Sequence, residues 1–336
     1  MADKQALVIT SIAAADHPEL NDFAKKCSER KIPFLVIGDR ASPAEFHLDG
    51  CDFYNLKRQK EQQLSIANLL PEKHYGRKNI GYLLAIRNGA EIILETDDDN
   101  YAREPFWNKR SRKVSAHPVD RAGWINVYSY YTSQHIWPRG FALEYLRNEV
   151  PSLDRFPLQE LDCPIQQGLA DENPDVDAIY RLVLPLPLSF EKSVNVGLGQ
   201  GTWCPFNSQN TTWYKDAFPL LYLPSYCSFR MTDIWRSFVA QRIAWENNWH
   251  ILFHAPTVYQ ERNMHNLVRD FADEVSGYLN NHTIAENLSA LTLLKGQENL
   301  GENLLRCYTE LVRMNLVDPK EIPLIEAWNA DLRSMN

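Results

Sequence analysis

The fold of this chain is decided by residues 75–100, which read YGRKNIGYLLAIRNGAEIILETDDDN. The stretch from Asn79 to Asn88 suits a helix, and Gly89 stands where a left-handed residue commonly ends one. An apolar strand follows over residues 91–94, and three aspartates, 97–99, come within two residues of its end. Adjacent carboxylates in a partly buried site are costly unless something neutralises them. The stretch therefore predicts a site for a divalent cation that carries a phosphorylated ligand.

Strand geometry suggests which acids would hold the cation. Successive strand side chains point to opposite faces, so Asp97 and Asp99 are the predicted metal pair and Asp98 points elsewhere. Carboxylate oxygens are the ligands that Mg²⁺ and Mn²⁺ prefer. Arg77 and Lys78, at the start of the preceding helix, would add positive charge for phosphates. Three aspartates alone are more typical of a solvated turn, but the helix and strand before them favour the metal site.

The first forty residues predict a β-α-β opening. Residues 6–10 and 33–39 are apolar runs, and residues 18–30 between them have helical spacing. Strands that are apolar on both faces indicate a parallel sheet covered by helices. Ligands of such sheets collect at the carboxyl ends of the strands, which places Thr10 and Asp39 on the same rim as the three aspartates.

The C-terminal part of the sequence has a different pattern. From about residue 266 the pattern is helical and poor in strands, with Leu267, Phe271, Val275 and Leu279 at spacings near four. We therefore predict an α/β body over residues 1–265 and a helical C-terminal extension over residues 266–336. Four leucines of this extension offer an interface for a homo-oligomer: Leu304, Leu305, Leu311 and Leu316.

Composition narrows the class of protein. The chain has 336 residues, of which 44% are hydrophobic and 23% charged, as in a folded globular protein. Its net charge of −8 argues against nucleic-acid binding. No signal peptide is evident and no apolar stretch approaches the ~18 residues of a membrane span. The six cysteines are scattered, which is typical of reduced thiols, so we expect a cytoplasmic protein without an integral membrane segment.

Three further motifs each allow two interpretations. Residues 199–211 combine amides and hydroxyls, including Asn207 and Gln209, with aromatic rings, a chemistry that binds carbohydrates but also builds polar turns. Asp233 starts a predicted helix, so it is either a helix cap or a general base beside a sugar site. His265 follows an apolar strand, where it is either a metal or phosphate ligand or a structural histidine.

Taken together, these motifs resemble a known family. Residues 77–90 with their downstream acids, residues 201–211 and residues 230–242 look like the STELLO family of glycosyltransferase-like proteins, with the similarity covering roughly residues 5–265. More distantly, the helix, strand and three aspartates resemble the reversibly glycosylated polypeptides, which include UDP-arabinopyranose mutases. The resemblance implies a GT-A type nucleotide-diphospho-sugar transferase fold, a metal-bridged UDP-sugar and no covalent cofactor.

The resemblance assigns roles to matching positions. Asp97 and Asp99 look like the acids that hold Mn²⁺ or Mg²⁺, with His265 as a further candidate ligand, and Asp233 resembles the acid near the acceptor. The residues expected to bind the nucleotide sugar are Thr10, Asp39, Arg77, Lys78, Asp98, Asn207 and Gln209.

The function expected on this basis is transfer of a sugar, with inversion, from a nucleotide diphosphate to a hydroxyl of a glycan or other acceptor. Polysaccharide biosynthesis is the process in which such an enzyme would act. Two alternatives stay open at this point. The protein could be a nucleotide-sugar mutase, which needs no acceptor, or a non-catalytic protein that binds nucleotide sugars as a scaffold.

Overall fold

The computed structural model describes residues 4–261 and 266–335. Within these ranges the strands are β1 (Gln5–Thr10), β2 (Phe34–Ile37), β3 (Asp52–Tyr54), β4 (Ile92–Thr96), β5 (Asn100–Ala102), β6 (Lys113–Val119), β7 (Gly123–Trp124), β8 (Gln159–Asp162), β9 (Ile165–Asp171), β10 (Val196–Leu198), β11 (Thr202–Trp203), β12 (Asn210–Tyr214) and β13 (Ile251–Gln260). The α-helices are α1 (Pro18–Arg30), α2 (Leu56–Lys60), α3 (Lys78–Arg87), α4 (Ala178–Val183), α5 (Thr232–Trp245), α6 (Leu267–Ala290), α7 (Leu300–Arg313) and α8 (Glu321–Arg333).

One large sheet organises the molecule. Its strand order is β3-β2-β1-β4-β12-β9-β13-β10-β6-β8, and β5 pairs with β13. The four strands at one end, β3 to β4 in this order, are all parallel, and β12 joins them in the antiparallel sense. β9 and β13 run parallel to each other near the centre. The predicted α/β fold, with a mostly parallel sheet and helices around it, is confirmed.

Both faces of the sheet are covered, as the apolar strands require. Along β1, Leu7 and Ile9 pack with α1 in one buried cluster, whereas Val8 belongs to the cluster on the opposite face, with α3. Gly81 lets α3 approach β1 closely, because a Cβ at this position would lie 2.5 Å from Val8. Burial on both sides fixes where each strand ends, and so fixes the rim that carries the polar side chains.

The stretch from α3 to β4 forms as its sequence predicts. α3 ends at Arg87, and Gly89 follows with a φ of +82°. The amide of Ala90 donates to the carbonyl of Ala85, which closes the end of the helix. β4 then enters the sheet between β1 and β12, buried along its whole length.

The C-terminal helices pack firmly on the sheet-bearing body. Asp331 of α8 accepts the amides of Ser65 (2.7 Å) and Ile66 (3.0 Å), which begin a short 3-10 helix in the body. Glu321, also buried, accepts the amides of Ser225 and Tyr226. These buried bonds tie the predicted extension to residues far away in the sequence.

The predicted C-terminal helices form, but two of the leucines expected at an interface are buried. Phe271 and Leu279 of α6 are 38% and 73% exposed, because this helix turns a polar face with Glu274 inward. Leu304 and Leu311 of α7 are buried within the chain and are therefore not available for contact with another copy. Their spacing reflects packing inside the molecule.

Candidate active site

A cavity of about 670 Å³ opens at the carboxyl ends of β1, β2 and β4. This is the rim on which the polar residues were expected to meet. The predicted site residues that line it are Thr10, Asp39, Arg77, Asp97, Asp98, Asp99, Gln209 and Asp233. Residues of the first hundred positions thus meet residues beyond position 200 in one concave site.

The three aspartates lie on a turn between β4 and β5 rather than on a strand. Strand alternation, from which Asp97 and Asp99 were paired, therefore does not apply to them. Asp98 accepts a hydrogen bond from the hydroxyl of Ser11, and Asp99 accepts one from the side-chain amide of Gln260 at 2.8 Å. All three carboxylates line the cavity, each held from a different side.

Lys78 compensates the charge of Asp97 from below the cavity. Its ammonium is fully buried, 3.2 Å from the carboxylate of Asp97 and 2.8 Å from the carbonyl of Thr96. Burial at the base of the cavity raises the pKa of Asp97 to about 7; Lys78 opposes this shift, and Asp99 and Asp233 add to it. One lysine does not neutralise this group of acids, so the site still attracts a cation.

Glu95 anchors the acid-bearing strand from inside the protein. This fully buried carboxylate of β4 accepts hydrogen bonds from Tyr82 of α3, from Trp213 of β12 (3.0 Å) and from Arg236 of α5 (2.9 Å). The guanidinium of Arg236 also lies over the ring of Trp213, 5.1 Å from its centroid. The network joins two strands and two helices directly behind the cavity.

Asp233 is held by an arginine that the sequence motifs did not include. Arg139 donates to Asp233 at 2.9 Å and binds Asp175 through two parallel bonds of 2.7 and 2.9 Å. Tyr75 and the backbone amide of Ser208 donate to the same carboxylate, each at 3.2 Å. Burial alone would raise the pKa of Asp233, but Arg139 holds it at about 2. No hydrogen bond from its side chain caps α5, which disfavours the cap interpretation.

On the other side of the cavity, Asp39 follows β2 and accepts the amide of His74 at 2.8 Å. The ring of His74 stacks on Tyr75 with 5.5 Å between centroids, and Phe229 packs edge-on against both. Burial lowers the pKa of His74 to about 4, so this ring is neutral at pH 7. Thr10 lies nearby at the end of β1. A polar rim thus faces a small aromatic wall.

Two predicted ligand-binding residues serve the protein's own structure. Arg77 is buried, and its guanidinium donates to the side chain of Gln59 (2.6 Å) and the carbonyl of Leu70 (3.0 Å). Asn207 is buried beside the cavity, where its side chain accepts the amide of Gln209. Neither Asn207 nor Lys78 is among the residues that line the cavity. His265 lies outside the described residues.

Sequence reasoning missed several residues of the site. Ser208 had a signal, since it lies inside the 199–211 motif, and Tyr75 begins the stretch that decided the fold. Arg139 had none, because it reaches Asp233 only through the fold and is 94 positions away from it.

The chemistry of the acids fits a hard divalent cation. Asp97 keeps 37% of its side chain accessible in the cavity and has Asp99 two positions away. Within residues 4–261 and 266–335, no three His, Cys, Asp or Glu side chains are grouped as a metal ion requires. A cation held by these two acids would therefore need further oxygens from a bound ligand and water, as Mg²⁺ usually has.

Comparison with known proteins gives the site a family context. The sequence model of the STELLO glycosyltransferases matches residues 230–336, which include Asp233 and the three C-terminal helices. The chain is STELLO-like. It is 27% identical over 320 residues to the probable glycosyltransferase STELLO2 of Arabidopsis thaliana, which covers 89% of this chain and 41% of that protein. It is 28% identical over 275 residues to the probable glycosyltransferase STELLO1 of the same plant, covering 75% and 35%.

The STELLO-like chain thus spans about two-fifths of the length of these relatives. The family match also crosses residue 265, where the sequence suggested a boundary between body and extension. In the described part of the chain, none of the helices is both long and apolar enough to cross a lipid bilayer.

Proposed function

We propose that this STELLO-like chain is a metal-dependent glycosyltransferase of the GT-A type, which moves a sugar from a UDP-sugar to a hydroxyl acceptor. The observation that supports this most is one cavity in which Asp97, Asp98 and Asp99 face Asp233 across the carboxyl ends of parallel strands. The similarity to proteins named probable glycosyltransferases agrees with it. A polysaccharide is the kind of acceptor we propose.

In this proposal Asp97 and Asp99 hold Mn²⁺ or Mg²⁺. When bound, the cation would stabilise negative charge on the leaving diphosphate. Lys78 keeps Asp97 in place, and Ser11 and Gln260 orient the two neighbouring aspartates. Because these partners are fixed before the donor arrives, little reorganisation is needed when charge develops.

Asp39 and Thr10 would face the nucleoside, and the rings of His74, Tyr75 and Phe229 would provide an apolar surface for it. Gln209 and Ser208 would contact the sugar between the acids and Asp233.

Asp233 would accept the acceptor's proton. It is ionised at neutral pH, as a base must be, but the donors from Arg139, Tyr75 and Ser208 leave it a weak one. Such a base acts late, after the acceptor oxygen has begun to bond to the sugar carbon and has become acidic.

A thermal-shift panel of nucleotide sugars, with and without Mn²⁺, tests the proposal. The true donor raises the melting temperature by mass action, and Mn²⁺ increases the effect. The double variant Asp97→Ala with Asp99→Ala should lose the Mn²⁺-dependent part. Glu104→Ala, an exposed acid away from the cavity, is the matched control. Donor binding and turnover that survive the double substitution would refute the assignment of the metal site.

A second function is favoured by the surroundings of Asp233. Both oxygens of this carboxylate already accept hydrogen bonds, and its pKa lies near 2. A nucleotide-sugar mutase needs no base for an external acceptor, so this arrangement would suit it as well. Chromatography of the products formed from the donor alone separates the two, because only a mutase converts a UDP-sugar to its ring isomer without an acceptor.

A further inference from the structure

A second concave surface lies at the far end of α5 from the candidate active site. We call it the aromatic groove, and its volume is about 630 Å³. Asp233 is in the first turn of α5 and Trp245 is its last residue, so the two sites are roughly 18 Å apart along the helix. Its lining includes four aromatic and two polar residues: Trp124, Tyr145, Trp203, Trp245, Gln200 and Glu286.

Four aromatic rings form the groove. Trp203 and Trp245 meet edge to face with centroids 4.7 Å apart, and Trp124 and Tyr145 stack at 6.3 Å. Trp124 and Trp203 are almost fully buried and hold the other two rings, Tyr145 and Trp245, which are half-buried and keep accessible surface. Neighbouring wall residues are small, among them Gly123 and Gly201, so the groove stays open above the rings.

A fixed chain of hydrogen bonds orients one wall. The indole N–H of Trp124 donates to Nδ1 of His282 at 3.3 Å, so a neutral His282 carries its proton on Nε2. That nitrogen lies 3.1 Å from the hydroxyl of Tyr145 and 3.5 Å from Oε1 of Glu286, so both oxygens face its proton. The hydroxyl proton of Tyr145 is therefore left to donate to another acceptor. It is a preset donor at the edge of an aromatic surface.

Hydrogen-bonding side chains surround the same rings. Glu286 keeps 63% of its side chain accessible although its carboxylate lies 3.5 Å from Nε2 of His282, and Gln200, which also lines the groove, is exposed. Arg242 lies in the groove, but its guanidinium donates to Glu246 and to the carbonyls of Leu288 and Leu291. It is therefore already paired within the protein. The groove thus offers carboxylate, amide and hydroxyl groups around apolar rings, and its arginine, Arg242, is already paired with Glu246.

The sequence motif over residues 199–211 is divided between the two sites. Its polar half, with Ser208 and Gln209, lines the candidate active site, and its first half, with Gln200 and Trp203, lines the groove. The pairing of rings with hydrogen-bonding side chains that suggested carbohydrate binding is therefore found in the groove. The proposed donor site does not account for it.

We propose that the aromatic groove binds a neutral oligosaccharide, separately from the catalytic cavity. The apolar C–H face of a pyranose packs on Trp245 and Tyr145. Each of these side chains has a flat apolar ring and a polar group at one edge, so it can contact the face of the sugar and bond to its hydroxyls. Its hydroxyls donate to Glu286 and accept from Tyr145 and Gln200. The volume suits a small ligand or a short segment of a chain. This inference goes beyond the proposed transfer reaction and does not require it.

Isothermal titration with a panel of neutral linear hexaoses (malto-, manno-, xylo- and cello-) tests the inference, in the absence of nucleotide and metal. We expect at least one hexaose to bind, and Trp245→Ala to raise its Kd at least tenfold. Glu286→Gln is exposed and conservative, so it keeps the fold, and it should raise the Kd severalfold. Both variants should keep the thermal shift produced by the nucleotide-sugar donor.

Phe229→Ala, in the catalytic cavity, is the matched control and should leave hexaose binding unchanged. Failure of every neutral hexaose to bind the wild type would overturn the inference. It would also be overturned if both groove variants bound the hexaose with the Kd of the wild type. Loss of binding with Phe229→Ala, or binding only of a sulfated oligosaccharide such as a heparin hexasaccharide, would overturn it too. Each of these results leaves the donor-binding test of the proposed function unaffected.

Discussion

At the scale of single residues, the candidate site is a set of carboxylates with different charge partners. Asp97 is compensated by one lysine and keeps a pKa of about 7, whereas Asp233 is compensated by Arg139 and has a pKa of about 2. Two acids that line one cavity are therefore set for different tasks. The first still attracts a cation, and the second stays ionised under all physiological conditions.

The low pKa of Asp233 predicts a specific acid sensitivity. An unfolded aspartate has a pKa near 3.8, so the folded state gains stability from Asp233 above that value and loses it as the pH falls towards 2. The contribution is about 2 kcal/mol in the free energy of unfolding. Urea titrations at pH 5 and at pH 2 should show the wild type losing about this much more than Asp233→Asn.

The control for this prediction is Asp318→Asn, because Asp318 is exposed and its side chain accepts the amide of Lys320 within its own turn. This variant should lose stability in parallel with the wild type. If Asp233→Asn also did so, the ion pair with Arg139 would not be what lowers the pKa.

Residues were predictable when their signal was local. The three aspartates, Asp39 and Gln209 could be placed because each follows or begins a recognisable strand or motif. Arg139 could not, since nothing in its own segment marks it and its partner is distant in sequence. Lys78 was recognised as a cation near the acids, but its burial beneath them depends on how α3 packs on β4.

At the scale of elements, β4 and α5 act as one unit. Glu95 of β4 and Arg236 of α5 pair inside the protein. Asp97 follows Glu95 by two positions, Asp233 precedes Arg236 by about one helical turn, and both acids line the cavity. The position of the two acids relative to each other therefore depends on this buried pair.

Glu95→Gln should be strongly destabilising. It removes the charge that compensates Arg236, and breaking one partner of a buried pair costs about 3 to 5 kcal/mol. The free energy of unfolding in urea is the measurement. Glu104→Gln, which alters an exposed pair with Arg30, should change it by no more than about 1 kcal/mol. Equal effects of the two variants would show that the network behind the cavity is not a stabilising feature.

Helices and strands with strong apolar patterns were the elements that sequence predicted well, among them α1, α3, β1 and β4. The apolar spacing also predicted α6, but it did not indicate how this helix docks: Glu274 accepts the amide of Ala178 and the guanidinium of Arg230. Periodicity reports apolar packing and has no signal for buried hydrogen bonds that hold a helix in place.

At the scale of the whole molecule, the C-terminal helices are part of one cooperative structure. Trp328 of α8 is fully buried and donates to the carbonyl of Pro219, and α7 packs against α5. We therefore expect the chain to unfold in one transition. Far-ultraviolet circular dichroism and tryptophan fluorescence should give coincident urea curves.

Asp331→Ala also tests whether the C-terminal helices unfold together with the rest of the chain. The substitution leaves the buried amides of Ser65 and Ile66 without an acceptor, which should cost about 3 kcal/mol. The whole transition should move to lower urea with a single midpoint. A separate early transition of the C-terminal helices would instead make residues 266–336 an independent unit.

The pairing of Glu95 with Arg236 also bears on the order of events during synthesis. The two residues are 141 positions apart, so a ribosome adding about 5–20 residues per second releases the arginine on the order of ten seconds after the glutamate. Until then the buried carboxylate of β4 lacks its guanidinium partner and has Tyr82 and Lys78 of α3 beside it. The network behind the cavity is therefore completed only with α5, after more than two-thirds of the polypeptide has been made.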